Sequence, residues 1–358
     1  MEDSTTKILF VSFSEEINTG ARYAEYIIRQ ALSQKHEVRF LCPRQDKTLC
    51  KILLPLQLLI LGYFPLIAHK CYDLVFTSDN FVFADIVYVQ PPAGKNVDLK
   101  WDEILFDKWS YFWGHCSSLL IQKPLKFLVS KHAHFITNSH FATAVVQRNY
   151  GKKASVIYPP VPTYLYKSFE RAREDLVVTI SGLNPRKNLE LIAEMGKRLS
   201  GAKFILVGFY NERFVYILES LRAKFATMGL KDNFIYIPSA SDKAKVEVLN
   251  RAKVYFHPTF YEPFGIGIAE GMAAGCIPVV HNSGGPQEFV PSEWRYEDVE
   301  DAASKIHLAL NNWDTTKAAE FRSVAMRFGE ERFKEEILDF VERQGGRDGK
   351  RLNGRLPD

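Results

Sequence analysis

The sequence has little net charge and few cysteines, and both scarcities exclude whole classes of protein. Its formal net charge is +4 over 358 residues, an excess too small to indicate a nucleic-acid partner. The five cysteines are irregularly spaced and include no Cys-x-x-Cys pair, which argues for a reducing compartment and against a disulfide framework or a zinc site. With 46% hydrophobic and 25% charged residues, the composition is that of a globular protein.

The chain also lacks the pattern of a secretory signal, because the polar residues Met1–Lys7 lead directly into the strand-like run Ile8–Phe13. We therefore expect a cytoplasmic protein. One apolar segment, Ile52–Ala68, is flanked by lysines and interrupted by prolines and a glycine, and it is short for a membrane span. Two interpretations stay open for it, a helix buried in the fold or an amphipathic surface resting on the cytoplasmic face of a membrane.

Short apolar runs rich in Val, Ile and Phe alternate with helical segments in two series, from Ile8 to Ile157 and from Leu176 to Val280. This alternation is typical of parallel, doubly wound α/β sheets, so two Rossmann-like domains are predicted. Prolines between Tyr158 and Pro162 forbid regular structure and mark a boundary. We predict an N-terminal domain over residues 1–160, a C-terminal domain over 161–314, a helix over 315–343 and a disordered tail over 344–358.

The sequence richest in candidate chemistry follows the apolar run Val254–Phe256. Pro263 and the small residues after it suit the start of a helix, and free amides at such a start favour an anion. The amides concerned are those of Phe264, Gly265 and Ile266. Glu262 then lies at the mouth of the helix and Glu270 about two turns inside it. Carboxylates accept the hydroxyl groups of a sugar or ribose but repel phosphate, so the pair predicts contacts with opposite ends of a nucleotide sugar.

The stretch from His257 to Val290 resembles the donor site of the retaining glycosyltransferases of the GT-B fold in family 4, where two glutamates flank seven other residues. Within that family, Phe264–Ile268 and His281–Pro286 most resemble the Alg11-type mannosyltransferases, which extend lipid-linked oligosaccharides. The resemblance implies two Rossmann-like domains facing a cleft. It also implies transfer of a hexose, with mannose favoured, from a GDP- or UDP-linked donor to a polyprenyl-linked glycan held by the N-terminal domain, with no further cofactor.

A second segment, Ile180–Asn188, resembles the family's strand-to-loop segment with its phosphate-binding arginine and lysine. Lys187 matches the lysine, but the family's usual arginine falls on Gly182, and Arg186 is our candidate to replace it. By the same resemblance, Glu262 holds sugar hydroxyls and Glu270 the ribose. The phosphate or sugar would meet the backbone of Ser283, Gly284 and Gly285.

The N-terminal half resembles the family more diffusely. Gly20 stands where the family has a glycine loop beside the acceptor and the donor phosphate. Four histidines are candidates for the one that the family presents near the transferred sugar, and we favour His115, which follows Trp113 and Gly114 in an aromatic run.

Several other chemistries lack their motifs. The glycines at 265 and 267 are followed by Gly271, which breaks the dinucleotide fingerprint, and there is no Walker loop, Asp-x-Asp pair or His and Cys cluster. No metal site is predicted. Retention is implied by the resemblance alone, and same-face attack is preferred because no carboxylate can be named beneath the anomeric carbon. A nucleotide-sugar epimerase, a glycoside phosphorylase and a catalytically silent sugar-nucleotide-binding subunit stay open as alternatives.

Overall fold

The computed structural model describes residues 5–12, 20–42, 63–64, 67–68, 70–79, 82–95, 97, 123–166 and 172–348. The chain divides into two compact units. The first comprises Met1–Pro91, Asn96–Tyr158 and Phe333–Asp358, and the second Pro92–Lys95 and Pro159–Arg332. The main change of unit therefore falls between Tyr158 and Pro159, beside the boundary predicted at residue 160. The short piece Pro92–Lys95 joins the second unit, where the amide of Gly94 donates to the carbonyl of Tyr261 at 3.2 Å.

The first unit is built, in its described part, around six parallel strands. They are β1 (Lys7–Val11), β2 (Glu37–Leu41), β3 (Leu74–Thr77), β4 (Ile86–Val89), β5 (His134–Thr137) and β6 (Ala154–Val156). Their order in the sheet is β2-β1-β3-β4-β5-β6. Every residue of β3 and β4 is buried, as expected for parallel strands covered on both faces. The helices α1 (Gly20–Lys35), α2 (Lys123–His132) and α3 (His140–Tyr150) accompany the sheet.

The second unit has its own sheet of six parallel strands. They are β7 (Glu174–Ile180), β8 (Lys203–Gly208), β9 (Phe234–Pro238), β10 (Ala252–His257), β11 (Ile277–His281) and β12 (Arg295–Tyr296). The order β12-β11-β10-β7-β8-β9 is that of a doubly wound Rossmann sheet. The strand order reverses between β7 and β10, and in such sheets ligands bind beside the carboxyl ends of the strands at this switch point. The predicted fold class is confirmed.

In the described residues of the second unit, six helices complete the winding. They are α4 (Leu191–Arg198), α5 (Val215–Thr227), α6 (Asp242–Arg251), α7 (Ile266–Ala273), α8 (Val299–Asn311) and α9 (Thr315–Met326). Helix α7 packs closely on the sheet, because Gly267 and Gly271 face the buried ring of Tyr255. A Cβ atom at Gly267 would lie 2.5 Å from the Tyr255 hydroxyl, and one at Gly271 would lie 2.6 Å from its ring. These two glycines therefore bring the start of α7 down onto the end of β10.

The prediction of one helix over 315–343 is wrong, because the chain forms two helices there, α9 and α10 (Glu330–Asp348). Between them Phe328 accepts a hydrogen bond from the amide of Val161 (2.8 Å), and its ring packs edge-on against Phe264. Extended pairing of this kind is incompatible with a continuous helix.

Helix α10 also corrects the predicted C-terminal tail. From Phe333 onward it belongs to the first unit, where Phe333, Ile337 and Val341 join the core. These residues are four apart and so form one apolar stripe on the helix. The helix continues to Asp348, five residues into the tail predicted at 344–358. Residues 349–358 lie outside the described residues.

The apolar segment over residues 52–68 lies largely outside the described part of the chain. Four of its residues are described: Ile67 is 65% and Phe64 38% exposed, Ala68 is buried, and Tyr63 packs partly buried against the core of the first unit. Among the helices of the described ranges, none combines the length and apolar character needed to cross a bilayer.

Candidate active site

Two loops that leave the carboxyl ends of β7 and β10 are tied together at the switch point of the second unit. In the first loop, the side chain of Asn184 accepts a backbone hydrogen bond (2.9 Å) at the start of a 3-10 turn over Pro185–Lys187. Asn188 follows the turn at φ 50° and donates from Nδ2 to the carbonyl oxygen of Pro258, 3.3 Å away in the second loop. This geometry points Lys187, the last residue of the turn, at the second loop.

The carboxylate of Glu262 connects the two loops through hydrogen bonds. Its Oε2 atom accepts hydrogen bonds from Lys187 Nζ at 2.7 Å and from His257 Nε2 at 3.2 Å. Burial alone would raise the pKa of this carboxyl, but the ammonium of Lys187 and the His257 hydrogen bond outweigh burial and hold the pKa well below its usual range. Glu262 is therefore ionised at any physiological pH. Its Oε1 atom has no hydrogen bond to the described residues and can accept one from a ligand.

His257 ends strand β10 with its ring buried. Burial lowers the pKa of the imidazole, and the nearby Glu262 carboxylate only partly offsets this effect. A neutral ring that faces a carboxylate through Nε2 carries its proton there and donates it. The other nitrogen, Nδ1, is buried and has no hydrogen bond within the described part of the chain, so a second proton would have no acceptor.

We expect replacement of His257 by glutamine to reduce the acid sensitivity of the fold. Below pH 6.5, the ordinary pKa of histidine, the unfolded chain binds a proton here that the folded protein does not. The free energy of unfolding therefore falls as the pH drops from 6.5 towards the lower pKa of folded His257. A glutamine amide can still donate to Glu262 but does not titrate. In melting curves between pH 7.5 and 5.5, the variant should lose less thermal stability than the wild type.

The matched control is His307→Gln, since His307 is exposed on α8, and this variant should follow the wild-type pH profile. An unchanged acid sensitivity in His257→Gln would show that another group determines it.

The loop after β11 supports Glu262 through its backbone. The amide of Gly285 donates to the carbonyl oxygen of Glu262 at 2.8 Å. A Cβ atom on Gly285 would stand 1.9 Å from the carbonyl oxygen of Pro263, and one on Gly284 (φ 77°) 2.3 Å from that of Glu262. The sequence predicts that the backbone of Gly285 meets a phosphate or sugar. Its amide cannot do so, because that amide is already donated to the protein, whereas the amide of Gly284 has no hydrogen bond in the described part.

Ser283 holds the residue before Glu262. Its Oγ atom accepts the amide hydrogen of Tyr261 at 2.8 Å and lies 2.7 Å from Nδ1 of His281. Its own amide donates to the carbonyl oxygen of His281 at 2.7 Å, so the Ser283 backbone amide, like that of Gly285, is not available to a ligand. Tyr261 is held at φ 53°, a conformation that costs a bulky residue of order 1–3 kcal/mol and clusters at functional sites. The loop after β11 thus fixes the backbone that presents Glu262.

The start of α7 has available backbone amides at the place where the sequence predicts an anion. Gly265 lies before the helix at φ 93°, and the amides of Gly265 and Ile266 make no hydrogen bond to the described residues. Such amides carry the positive end of the helix dipole. The side chain of Phe264 is buried and packs against the rings of Phe289 and Phe328. Phe264 therefore anchors the loop through its side chain.

Glu270 is buried in the second turn of α7, with 4% of its surface exposed, and is not a solvated helix residue. Its Oε1 atom accepts hydrogen bonds from Tyr166 Oη at 3.2 Å and from Lys245 Nζ at 2.5 Å. Neither partner was singled out in the sequence, and neither stands in a motif that would have marked it. His257 begins the family-like stretch that contains Glu262, but its contact with the carboxylate was not predicted.

The remaining predicted residues lie elsewhere. The side chain of Arg186 is exposed on the turn that carries Lys187. Gly182 follows β7, and a Cβ atom there would make only ordinary contacts, 3.8 Å from Cβ of Phe209. Gly20 is the first residue of α1 in the first unit. His115 lies outside the described residues, so its role stays a prediction.

Known proteins resemble this chain in sequence and in fold. Residues 163–325 match the family described as "Glycosyl transferases group 1". A protein of Dictyostelium discoideum named GDP-Man:Man(3)GlcNAc(2)-PP-Dol alpha-1,2-mannosyltransferase is 26% identical over 221 residues, which cover 54% of this chain and 43% of that protein. The protein of the same name from Neurospora crassa is 33% identical over 152 residues, 37% of this chain and 27% of that protein. The chain thus aligns with less than half the length of either relative.

Among solved structures, the glycosyltransferase from Rickettsia africae superposes with a TM-score of 0.71 at 15% sequence identity, covering 95% of this chain and 99% of that one. At such low identity the likeness shows the fold alone, and that fold is GT-B. Residues 163–325 are therefore similar to the glycosyl transferases group 1 family, in a chain of the GT-B fold whose resemblance to the Alg11-type mannosyltransferases is confirmed.

Proposed function

We propose that the chain is a retaining, metal-independent glycosyltransferase that moves mannose from GDP-mannose to a polyprenyl-linked glycan. The observation that carries the proposal is the pair of glutamates at the switch point of the second unit. Each has one oxygen held by a lysine and the other open, and the two flank the unpaired amides at the start of α7. Open carboxylate oxygens suit hydroxyl groups, and unpaired amides suit a phosphate. A nucleotide sugar carries both.

The mechanism of sugar transfer depends on stabilising the charge that develops on the leaving group. Breaking the bond between sugar and phosphate leaves negative charge on the departing nucleoside diphosphate, and fixed donors must stabilise it. The amides of Gly265 and Ile266 and the ammonium of Lys187 supply them. Lys187 has three N–H donors, so it can contact a phosphate while it holds Glu262. In same-face attack, the acceptor hydroxyl bonds to the anomeric carbon as the bond to phosphate breaks, and the leaving phosphate takes the hydroxyl proton.

The two glutamates bind the two remaining parts of the donor, the sugar and the ribose. Oε1 of Glu262 accepts hydroxyl hydrogens of the sugar, and the free oxygen of Glu270 accepts those of the ribose. No cofactor beyond the nucleotide sugar is needed. In the described ranges no three His, Cys, Asp or Glu side chains group closely enough to hold a metal ion, and the proposed donors are all organic groups of the protein. GDP is preferred over UDP because the relatives are named for GDP-mannose.

The acceptor and the membrane surface on which the enzyme meets it are proposed from the same relatives. Their names specify a glycan on diphosphodolichol. A lipid carrier requires the enzyme to work at a membrane surface, here on its cytoplasmic face. The apolar residues 52–68, bracketed by Lys47, Lys51 and Lys70, suit such a surface, since leucines can enter the interface while lysines meet anionic headgroups. Ile67, the one described residue here that is mostly exposed, fits this role.

The test is an assay of GDP release from GDP-mannose with the dolichol-linked glycan of the relatives' name, in anionic liposomes and with a chelator present. We expect acceptor-dependent release and sedimentation of the protein with the liposomes at low salt. Donor binding without release on any acceptor would instead identify a silent subunit. Protein that stays in the supernatant at low salt would favour a soluble acceptor. Absence of binding to any nucleotide sugar would overturn the proposal.

Replacing Gly182 by arginine should strengthen donor binding. The position has room for a side chain and stands where the family's phosphate-binding arginine falls. A charged hydrogen bond to the diphosphate is expected to lower the Kd for GDP about tenfold. Calorimetry with GDP measures it, and Gly182→Ala, which adds volume without charge, should bind as the wild type does. Unchanged affinity in a folded Gly182→Arg variant would mean that the diphosphate does not reach this loop.

A further inference from the structure

Glu270 is held by two side chains that the proposed mechanism does not use. Oε1 accepts hydrogen bonds from both the hydroxyl of Tyr166 and the ammonium of Lys245. Oε2 accepts none from the described residues. Both donors therefore fix the same oxygen, and the carboxylate can rotate only by giving up two hydrogen bonds.

Both donors keep their protons under all physiological conditions. Tyr166 is fully buried, and burial, with Glu270 beside it, raises the pKa of its hydroxyl well above the usual value. Burial acts to lower the pKa of Lys245, but the carboxylates of Glu270 and Asp242 outweigh it and raise that pKa. Tyr166 thus stays a neutral donor and Lys245 a charged one.

Charge balance explains why a lysine is needed here. A buried carboxylate is costly unless it is paired, and a nucleoside diphosphate bound at the start of the same helix brings further negative charge. The ammonium of Lys245, whose side chain is 17% exposed, compensates Glu270 from one side. It comes from α6, which follows the carboxyl end of β9, so it stands on the ligand edge of the sheet.

The geometry repeats that of Glu262. There too, one oxygen receives a lysine and a neutral ring donor, Lys187 and His257, while the other oxygen is open. A carboxylate that served only the fold would gain from engaging both oxygens, which together offer about four acceptor sites. Two buried glutamates with the same half-open arrangement, at the same edge of one sheet, are better explained by a ligand with two separate sets of hydroxyl groups.

We infer that Tyr166 and Lys245 are positioning residues that hold the Glu270 carboxylate so that Oε2 faces the vicinal hydroxyls of the donor's ribose. The inference rests on the proposed function, because it requires a nucleoside diphosphate at this site. It goes beyond that function in assigning the selectivity for the ribose diol to a pair of residues outside both family-like motifs. Neither residue contacts the ligand in this arrangement.

The test compares two probes, GDP and its 2′,3′-dideoxy analogue, by calorimetry on the full chain. The wild type should bind GDP at least tenfold more tightly than the analogue, the difference expected for a hydrogen bond to a charged group. Tyr166→Phe and Lys245→Met should lose most of this preference, while binding the dideoxy analogue about as the wild type does. A variant that is merely destabilised would instead lose affinity for both probes equally.

Matched controls are Lys243→Met, an exposed lysine on the same helix α6, and Tyr216→Phe, an exposed tyrosine on α5. Both should keep the wild-type preference. Wild-type binding to GDP with an unchanged preference in folded Tyr166→Phe and Lys245→Met overturns this inference alone. Failure of the wild type to bind GDP, with no binding to UDP either, overturns the proposed function and this inference with it.

Discussion

Glutamine in place of Glu262 is expected to lower the turnover number for mannosyl transfer roughly 100-fold, an effect typical of losing one preorganised electrostatic group. The substitution preserves shape but removes the charge that pairs with Lys187 and His257 and that faces the sugar. As the bond to phosphate breaks, the sugar gains positive character, so a carboxylate beside it is worth more in the transition state than in the ground state. The affinity for GDP-mannose should therefore change much less than the turnover number.

The experiment measures initial rates at saturating donor together with the Kd for GDP-mannose by calorimetry. Glu293→Gln, which removes an exposed charge from the same unit, is the control and should behave as the wild type in both. A loss confined to donor affinity, with turnover intact, would assign Glu262 to ground-state binding and remove it from the proposed chemistry.

The site residues that the sequence could reveal are those whose signal is local. Glu262, the start of α7 and Glu270 lie within one stretch of chain, and the order of a strand, a proline, glycines and a helix is legible there. Two of their partners are distant in the sequence. Lys187 is 75 residues from Glu262, and Tyr166 is 104 residues from Glu270. Only Lys187 lay in a second family-like segment, so only Lys187 was found.

The same difference between local and distant signals applies to the prediction of the fold. Buried strands such as β3 and β4 are legible because parallel strands covered on both faces are continuous apolar runs. The end of α9 and the start of α10 could not be predicted from the sequence. The pairing of Phe328 with Val161 interrupts a segment whose sequence is helical in character throughout. The apolar stripe of α10 enters the core of the first unit, and which core such a stripe enters depends on tertiary contacts that no local pattern encodes.

The roles of the glycines were the hardest to predict from the sequence. Gly265 and Gly285 look alike in the sequence, as small residues that let a phosphate approach. One does precede open amides, but the other is small because a carbonyl oxygen occupies the place of its side chain. A glycine pattern indicates close approach without indicating whether the approaching group is ligand or protein.

Alanine at Gly285 is therefore expected to damage both stability and activity. Its Cβ atom would stand 1.9 Å from the carbonyl oxygen of Pro263 and 2.7 Å from the carbonyl carbon, and backbone atoms cannot swing aside as a flexible side chain could. The loop after β11 must move away, which breaks the hydrogen bond from the Gly285 amide to the Glu262 carbonyl. We expect a loss of about 1–3 kcal/mol in the free energy of unfolding, the usual cost of overpacking.

Because the displaced loop also holds the backbone that presents Glu262, turnover should fall even below the melting temperature of the variant. Melting curves and rates at a temperature where the variant is fully folded separate the two effects. Gly201→Ala is the matched control, since nothing lies within 4 Å of a Cβ atom there, and it should stay within about 0.5 kcal/mol of the wild type. A Gly285→Ala variant with wild-type stability and turnover would mean that this loop can relax without Glu262, and that the carboxylate is positioned by Lys187 and His257 alone.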